Sequence, residues 1–174
     1  AVIGENMNIR RFKQVEEQNG FVASYIHAEG KIGVLVDVET DVVNDEIKEM
    51  AKNIAMQITA MKPVYTNDSE VDEELEIIKS QIENDPKMAG KPEKVINGAI
   101  MGRLNKQLKE ICLLDQVYVK AEDGKQSVAA YVAQVAKANG ANVTVKGFVR
   151  FETGEGMEKK NEDFAAEVAA QLGK

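Results

Sequence analysis

The sequence has no tryptophan, one cysteine, one histidine, three prolines and an aromatic content of only 5%. With Cys112 alone, an internal disulfide and any thiolate metal cluster are excluded. Cys112 follows an apolar helical stretch and precedes Leu113 and Leu114, so it reads as a buried, inert thiol and not a nucleophile. His27 lies in a different element far from it, and nothing in the spacing supports a Cys–His or Ser–His arrangement. A P-loop, a paired zinc-ligand motif and an EF-hand loop are missing too, and no cofactor is expected. No run reaches the roughly 18 apolar residues that cross a bilayer, and no charged-then-apolar leader opens the chain. No membrane partner and a cytoplasmic setting are therefore expected. Positive charge is also short, with 22 Lys and Arg against 29 Asp and Glu and a net charge of −7. That argues against a nucleic-acid groove, which needs concentrated cations to displace counterions. It favours a protein surface as partner, or simply solubility.

What is present is a core-forming chain. Of its 174 residues 44% are hydrophobic, enough for one substantial domain or one domain with an appendage. With so few aromatics, the core must be Val, Ile, Ala, Leu and Met. Residues Ile9–Glu17, Phe21–Ala28 and Lys31–Val38 read as strands, and Phe21, Ala23 and Tyr25 alternate with Val22, Ser24 and Ile26. Glu29-Gly30 is the expected hairpin turn, with glycine supplying a positive φ. Gly33–Val38 is denser in apolar residues and predicts a strand covered on both faces. A fourth strand is expected at Asn142–Glu152, with Val143, Val145, Gly147, Val149 and Phe151 on one face. Strands separated by a long helical stretch predict an α+β fold, an antiparallel sheet of three to four strands packed with helices.

Asp45–Met61 is predicted helical from the stripe Ile47, Met50, Ala51, Ile54 and Ile58, and Pro63 closes it. Ser69–Asn84 carries Val71, Leu75, Ile78 and Ile82, and Lys94–Ile111 carries Ile100, Leu104, Leu108 and Ile111. Both are narrow seams of coiled-coil spacing. The breaker-rich Asn84–Pro92 between them predicts an antiparallel helical hairpin that protrudes, with its tip near Met88–Lys91. Asp68-Ser69 and Pro92 supply the start signals. Ser127–Asn139 is a further helix ended by Gly140, and the last starts at Asn161 with Phe164, Val168 and Leu172 along one face. This divides the chain into a core part at 1–66, the helical hairpin at 67–111, a second core part at 112–152 and a C-terminal helix module at 153–174. Beginning at Ala1 within an ongoing segment, it is expected to be a piece of something longer.

Three further clusters are weighed against plain structural roles. Gly154-Glu155-Gly156 sits between a strand and a helix, but Glu152, Glu155 and Glu158 would repel an anion, so a tight turn is expected. Glu39–Asp41 fits a cap and a solvated loop better than a metal or acid–base cluster. His27, near the hairpin turn with Ser24 and Glu29 close by, reads as an exposed turn residue.

Seven patches in order carry a resemblance: Gly4–Phe12 (GENMNIRRF), Ser24–Val36 (SYIHAEGKIGVLV), Ala51–Pro63 (AKNIAMQITAMKP), Gly90–Val95 (GKPEKV), Gly102–Lys106 (GRLNK), Ile111–Gln116 (ICLLDQ) and the tail Phe148–Val168. Together they resemble the C-terminal half of elongation factor Ts, the exchange partner of the translation GTPase elongation factor Tu. The resemblance implies the second core subdomain, a protruding coiled coil and the C-terminal module, with no covalent chemistry. It implies contact with domain 3 of elongation factor Tu through Tyr25, His27, Glu29, Gly30 and Lys31. It further implies contact with the nucleotide domain through Met157, Glu158 and Phe164, and it admits a homodimer through this half. The family's Thr-Asp-Phe motif, which disturbs the Mg²⁺ site, is not matched: Thr40-Asp41 is followed by Val42, and Glu162-Asp163-Phe164 fits a helix face. The resemblance thus implies binding with poor exchange. Two other classes stay open on the residues alone, a small enzyme using carboxylates such as Asp37 and Glu39, and a structural coiled-coil oligomer.

Overall fold

Three strands form an antiparallel sheet in the order β1 (Gly20–His27), β2 (Ile32–Thr40), β3 (Val143–Glu152). The computed structural model describes Gly4 and residues 9–157, so the helix expected from Asn161 lies outside the described residues. The central strand β2 is the apolar run of the sequence. Its Val34, Val36 and Val38 are buried on the helix-bearing face, opposite Tyr25, Ala23 and Phe21 of β1.

The expected first strand, Ile9–Glu17, has not formed. Residues 9–19 run as an extended strap over the other face of the sheet. Lys13, Gln14, Val15 and Glu16 line a cleft with Leu35, Asp37, Gly147 and Val149, and the Arg11 guanidinium sits 4.7 Å over the Phe151 ring. A segment crossing a sheet face cannot reach the ladder hydrogen bonds that only an edge offers. It does give β2 the two-sided cover expected from its composition.

The register between β2 and β3 slips once. Asp37 pairs with Gly147, whereas Val38 pairs with Val145, which leaves Lys146 as the extra residue of a bulge. Because side chains alternate, the bulge reverses the facing of everything beyond it. Val143 and Val145 face the helices, but Gly147, Val149 and Phe151 face the strap, and Phe148 and Arg150 take the inner positions opposite Val36 and Val34. The single face expected for the odd-numbered residues is therefore split in two.

Helix α1 (Asp45–Met61) spans the sheet's inner face. Asn44 caps it by accepting the Ile47 N–H at 2.9 Å, and Asp45 and Glu46 face the positive end of its dipole. Its stripe of Ile47, Met50, Ala51, Ile54 and Ile58 is fully buried. Lys62 ends it at φ 50° before Pro63. Buried polar groups fasten α1 to the return segment. Gln57 Nε2 donates to Gln116 Oε1 at 3.1 Å and to the Val117 carbonyl at 3.0 Å, and Gln57 Oε1 accepts the Val119 N–H at 2.8 Å. The last helix of the core, α4 (Val128–Ala138 in chain order, after α2 and α3 below), is capped by Ser127, whose Oγ accepts the Ala130 N–H. Gly140 follows it at φ 59°.

Between α1 and α4 the chain leaves the main core and comes back. α2 (Asp72–Glu83) and α3 (Glu93–Ile111) pack on one another through Ile78, Ile82, Ile100 and Leu104, with Met88 of the connecting turn against them. This cluster is separate from the main core. The start signal read at Asp68-Ser69 makes a 3₁₀ turn, Asp68–Glu70, capped by Asn67, and the α-helix begins only at Asp72. Departure and return are tied side by side, since Leu113 N donates to the Tyr65 carbonyl at 2.9 Å and Leu114 N to that of Thr66 at 3.1 Å. Among the described residues no helix is long and apolar enough to cross a membrane.

Candidate partner-contact surface

The β1–β2 ladder ends at the pair His27–Ile32. Glu29 and Gly30 are the central residues of the turn, closed by Lys31 N donating to the Ala28 carbonyl at 3.1 Å. Positive φ angles run through Ala28 (51°), Glu29 (57°) and Gly30 (89°). Glycine takes this region freely, but Ala28 and Glu29 each give up roughly 1–2 kcal/mol to hold it. The left-handed stretch thus starts one residue before the expected pair. The tip is fixed from the side as well, where the Lys31 carbonyl accepts the Thr153 N–H at 2.8 Å.

Tyr25 and His27 share one face of β1. Their rings stack with centroids 5.9 Å apart, and Tyr25 Oη lies 3.2 Å from His27 Nδ1. Tyr25 is half-buried against the main core and His27, at the end of the ladder, is exposed. The Thr153–Lys31 bond brings the turn after β3 to the same end. There Gly154 (φ 80°) and Gly156 (φ 68°) make the tight turn expected of that sequence, and Met157 stands 61% exposed. Tyr25, His27, Glu29, Gly30 and Lys31 are therefore one contiguous patch, with Met157 on the turn that adjoins it. Glu158 and Phe164 lie outside the described residues.

Beside the tip is a cleft of about 680 Å³ lined by Lys62, Val64, Phe148, Arg150, Glu152 and Gly154, among others. Arg150 is 8% exposed and donates to Glu152, which also lies 3.2 Å from Lys62 Nζ. These two cations, Arg150 first, hold the Glu152 carboxyl below its ordinary range. Arg150 escaped the sequence reading. The signal for it was a glycine inside a strand, Gly147, which marks bulges and hence reversed facing.

Neither nucleophilic nor acid–base chemistry gathers here. Cys112 is buried, and burial followed by the nearby Asp115, Asp68, Glu70 and Glu74 pushes its thiol up to about 11. A thiol so placed stays protonated at neutral pH. Asp41 accepts both the backbone and side-chain N–H of Asn142, stapling the loop after β2 to the start of β3. Thr40 Oγ1 bonds within the same loop. The α1 cap is Asn44, so Asp41 is a loop staple and not the cap, while Glu39 and Thr40 are the last paired residues of β2. Asp37 and Glu39 point to the strap side of the sheet, away from the cleft. Among the described residues no group of three or more His, Cys, Asp and Glu is arranged to hold a metal ion. What the tip offers is shape: a rigid turn with an exposed imidazole, an amine and a thioether.

Comparison with known proteins gives the family of the chain. The family model described as Elongation factor TS matches residues 1–155. Elongation factor Ts of Clostridium acetobutylicum is 45% identical over 177 residues, 99% of this chain and 56% of the relative. The proteins of the same name from Clostridium botulinum (strain Eklund 17B) and Clostridium perfringens (strain 13) are 46% and 43% identical over 179 residues, covering all of this chain and 57% of theirs. The chain thus spans a little over half the length of these relatives. With a family model covering most of it and relatives of this identity aligned along its whole length, the chain belongs to the elongation factor Ts family.

Proposed function

We propose that the chain binds elongation factor Tu, and that the hairpin tip with Tyr25, His27, Glu29, Gly30 and Lys31 is its contact with domain 3 of that GTPase. Membership of the family and the convergence of those five residues at one rigid end support the reading. Met157, and with it Glu158 and Phe164, then belong to a second contact with the nucleotide domain. Exchange of GDP for GTP by such a protein is barrier lowering through preferential binding of the nucleotide-free state. The sequence has no Thr-Asp-Phe motif to disturb the Mg²⁺ site, so this chain holds its partner while releasing GDP slowly. A second copy of the chain is a further partner that the family reading carries, with sedimentation velocity as its check.

Calorimetric titration against elongation factor Tu, paired with release of fluorescent GDP, tests the reading. Measurable affinity is expected, with release much slower than with the longer Clostridium acetobutylicum relative. His27→Ala should weaken binding by about 1–2 kcal/mol, as for a moderately important interface side chain. Its thermal midpoint should hardly move, because an exposed strand-end residue does little for the core. Absence of binding, or a His27→Ala protein that loses stability yet binds as before, would sink the proposal.

A further inference from the structure

On the strap side of the sheet the Glu17 side chain and one oxygen of Asp37 are buried beside half-exposed Lys146 and Glu39. Glu17 lies near the end of the strap with its side chain only 3% exposed. Its Oε1 accepts the Asn19 N–H at 2.7 Å, and its Oε2 lies 3.3 Å from Lys146 Nζ. Lys146, thrown out by the β3 bulge, is shared with Glu39 at 3.4 Å. Asp37 of β2 lies against Glu17, and among the described residues its Oδ1 is buried with no hydrogen-bond partner. Three carboxyl groups therefore surround one ammonium. The strap adds Lys13 and Glu16 around the same cleft, and β1 contributes only Val22 opposite Asp37.

Two ionised carboxylates in contact would repel, and a buried lone pair would go unsatisfied. A proton held by Asp37 and donated to Glu17 removes both costs. We propose that Glu17 and Asp37 share this one proton, and that it latches the strap of residues 9–19 onto the sheet, releasing the strap when it is lost.

The location of the proton follows from the surroundings. Burial, then contact with Glu17, moves the Asp37 carboxyl up. The Asn19 N–H, aided by Asp37 and Lys146, moves Glu17 down. The sign follows for each group. Asp37 has its folded value raised, so its contribution is complete below the ordinary carboxylate range and is lost as pH rises toward the raised value. Glu17 has its folded value depressed, so its contribution is lost only as pH falls toward that value. The latch is therefore an acid-side grip that weakens toward neutral pH. It stands independently of any partner.

Amide exchange of Asn19, whose N–H is bonded only while Glu17 is seated, reads the latch by NMR. After correction for intrinsic exchange, strap opening should rise about tenfold per pH unit between the ordinary and the raised Asp37 values, then level off. Asp37→Asn donates to Glu17 through its amide without a titratable proton, so its opening should stay level over the same range. Carbon-13 titration of the wild-type carboxyls should place Asp37 above Glu17. The latch is overturned if Asp37→Asn keeps the wild-type pH slope, or if Asp37 titrates in the ordinary carboxylate range. It is also overturned if β2 amides such as Val36 lose protection together with Asn19, which would make the event global.

Discussion

Gly20 opens β1 at a point where the β2 backbone leaves no room for a side chain. A Cβ there would meet the Val38 carbonyl oxygen at 2.0 Å and Glu39 Cα at 3.0 Å. Both are backbone atoms in a paired strand and cannot rotate away. Gly20→Ala must therefore push the strands apart or unpair the end of the ladder. A loss of about 1–3 kcal/mol is expected, in the range of forced overpacking, and a urea midpoint equal to wild type would show that the ladder yields at no cost. This glycine could not be read from the sequence, because the close approach depends on where β2 passes. The patches that carried the resemblance were legible for a plainer reason. In Ala51–Pro63 and Ile111–Gln116 they supply Ile54, Gln57, Ile58, Cys112, Leu113 and Gln116, all fully buried. The two glutamines close one hydrogen-bond network, so removing either strands buried partners and costs more than its own bond.

At the level of elements, the helices were readable to within a residue at Asp45–Met61, Glu93–Ile111 and Val128–Ala138, and α2 began three residues later than expected. Asp45–Met61 was expected and found, because cap, stripe and terminating Pro63 agree. The strands were harder. In the alternation of Val143, Val145, Gly147, Val149 and Phe151 only Gly147 hints at a bulge, and the pairing with β2 decides where the facing reverses. The strap was misread because its pattern suits a strand, but it crosses the face of the sheet, out of reach of either edge. The pair α2 and α3 makes the sharpest element-scale expectation. Its core is the small cluster around Ile78, Ile82, Ile100 and Leu104, separate from the main one. Ile78→Ala should cost about 2–5 kcal/mol locally, as for a buried Ile cut to Ala. Loss should then be confined to α2 and α3, seen as faster amide exchange at residues 72–108 with β2 and α1 still protected. Equal loss of protection in β2 would mean that the two clusters unfold as one.

Across the whole molecule, carboxylates hold together parts far apart in the chain. Asp41 joins the loop after β2 to Asn142, Glu152 joins the end of β3 to Lys62, and Glu17 joins the strap to Lys146. Each is depressed below its ordinary value, Asp41 by the Asn142 N–H groups first, Glu152 by Arg150 first and Glu17 by the Asn19 N–H first. Asp123 is depressed as well, by the Lys125 and Gln126 N–H groups. The three long-range bonds could not be read along the sequence, because only the fold brings their partners together. A depressed carboxyl contributes stability above its unfolded value and loses it as pH falls through the folded one. Asp37 and Asp115, raised chiefly by burial, act in the opposite sense and are most favourable on the acid side. Among the described residues, four depressed carboxyls against two raised ones predict a net loss of stability on acidification below the ordinary carboxylate range of about 4. Each solvent-facing contribution is small, so the fall in thermal midpoint should be gradual and without a single sharp step. Asp41→Asn, which keeps one acceptor but cannot ionise, should flatten the acid limb while leaving the sheet intact by circular dichroism. A midpoint that stays level from neutral pH to well below the carboxylate range would show that these bonds add nothing to the fold.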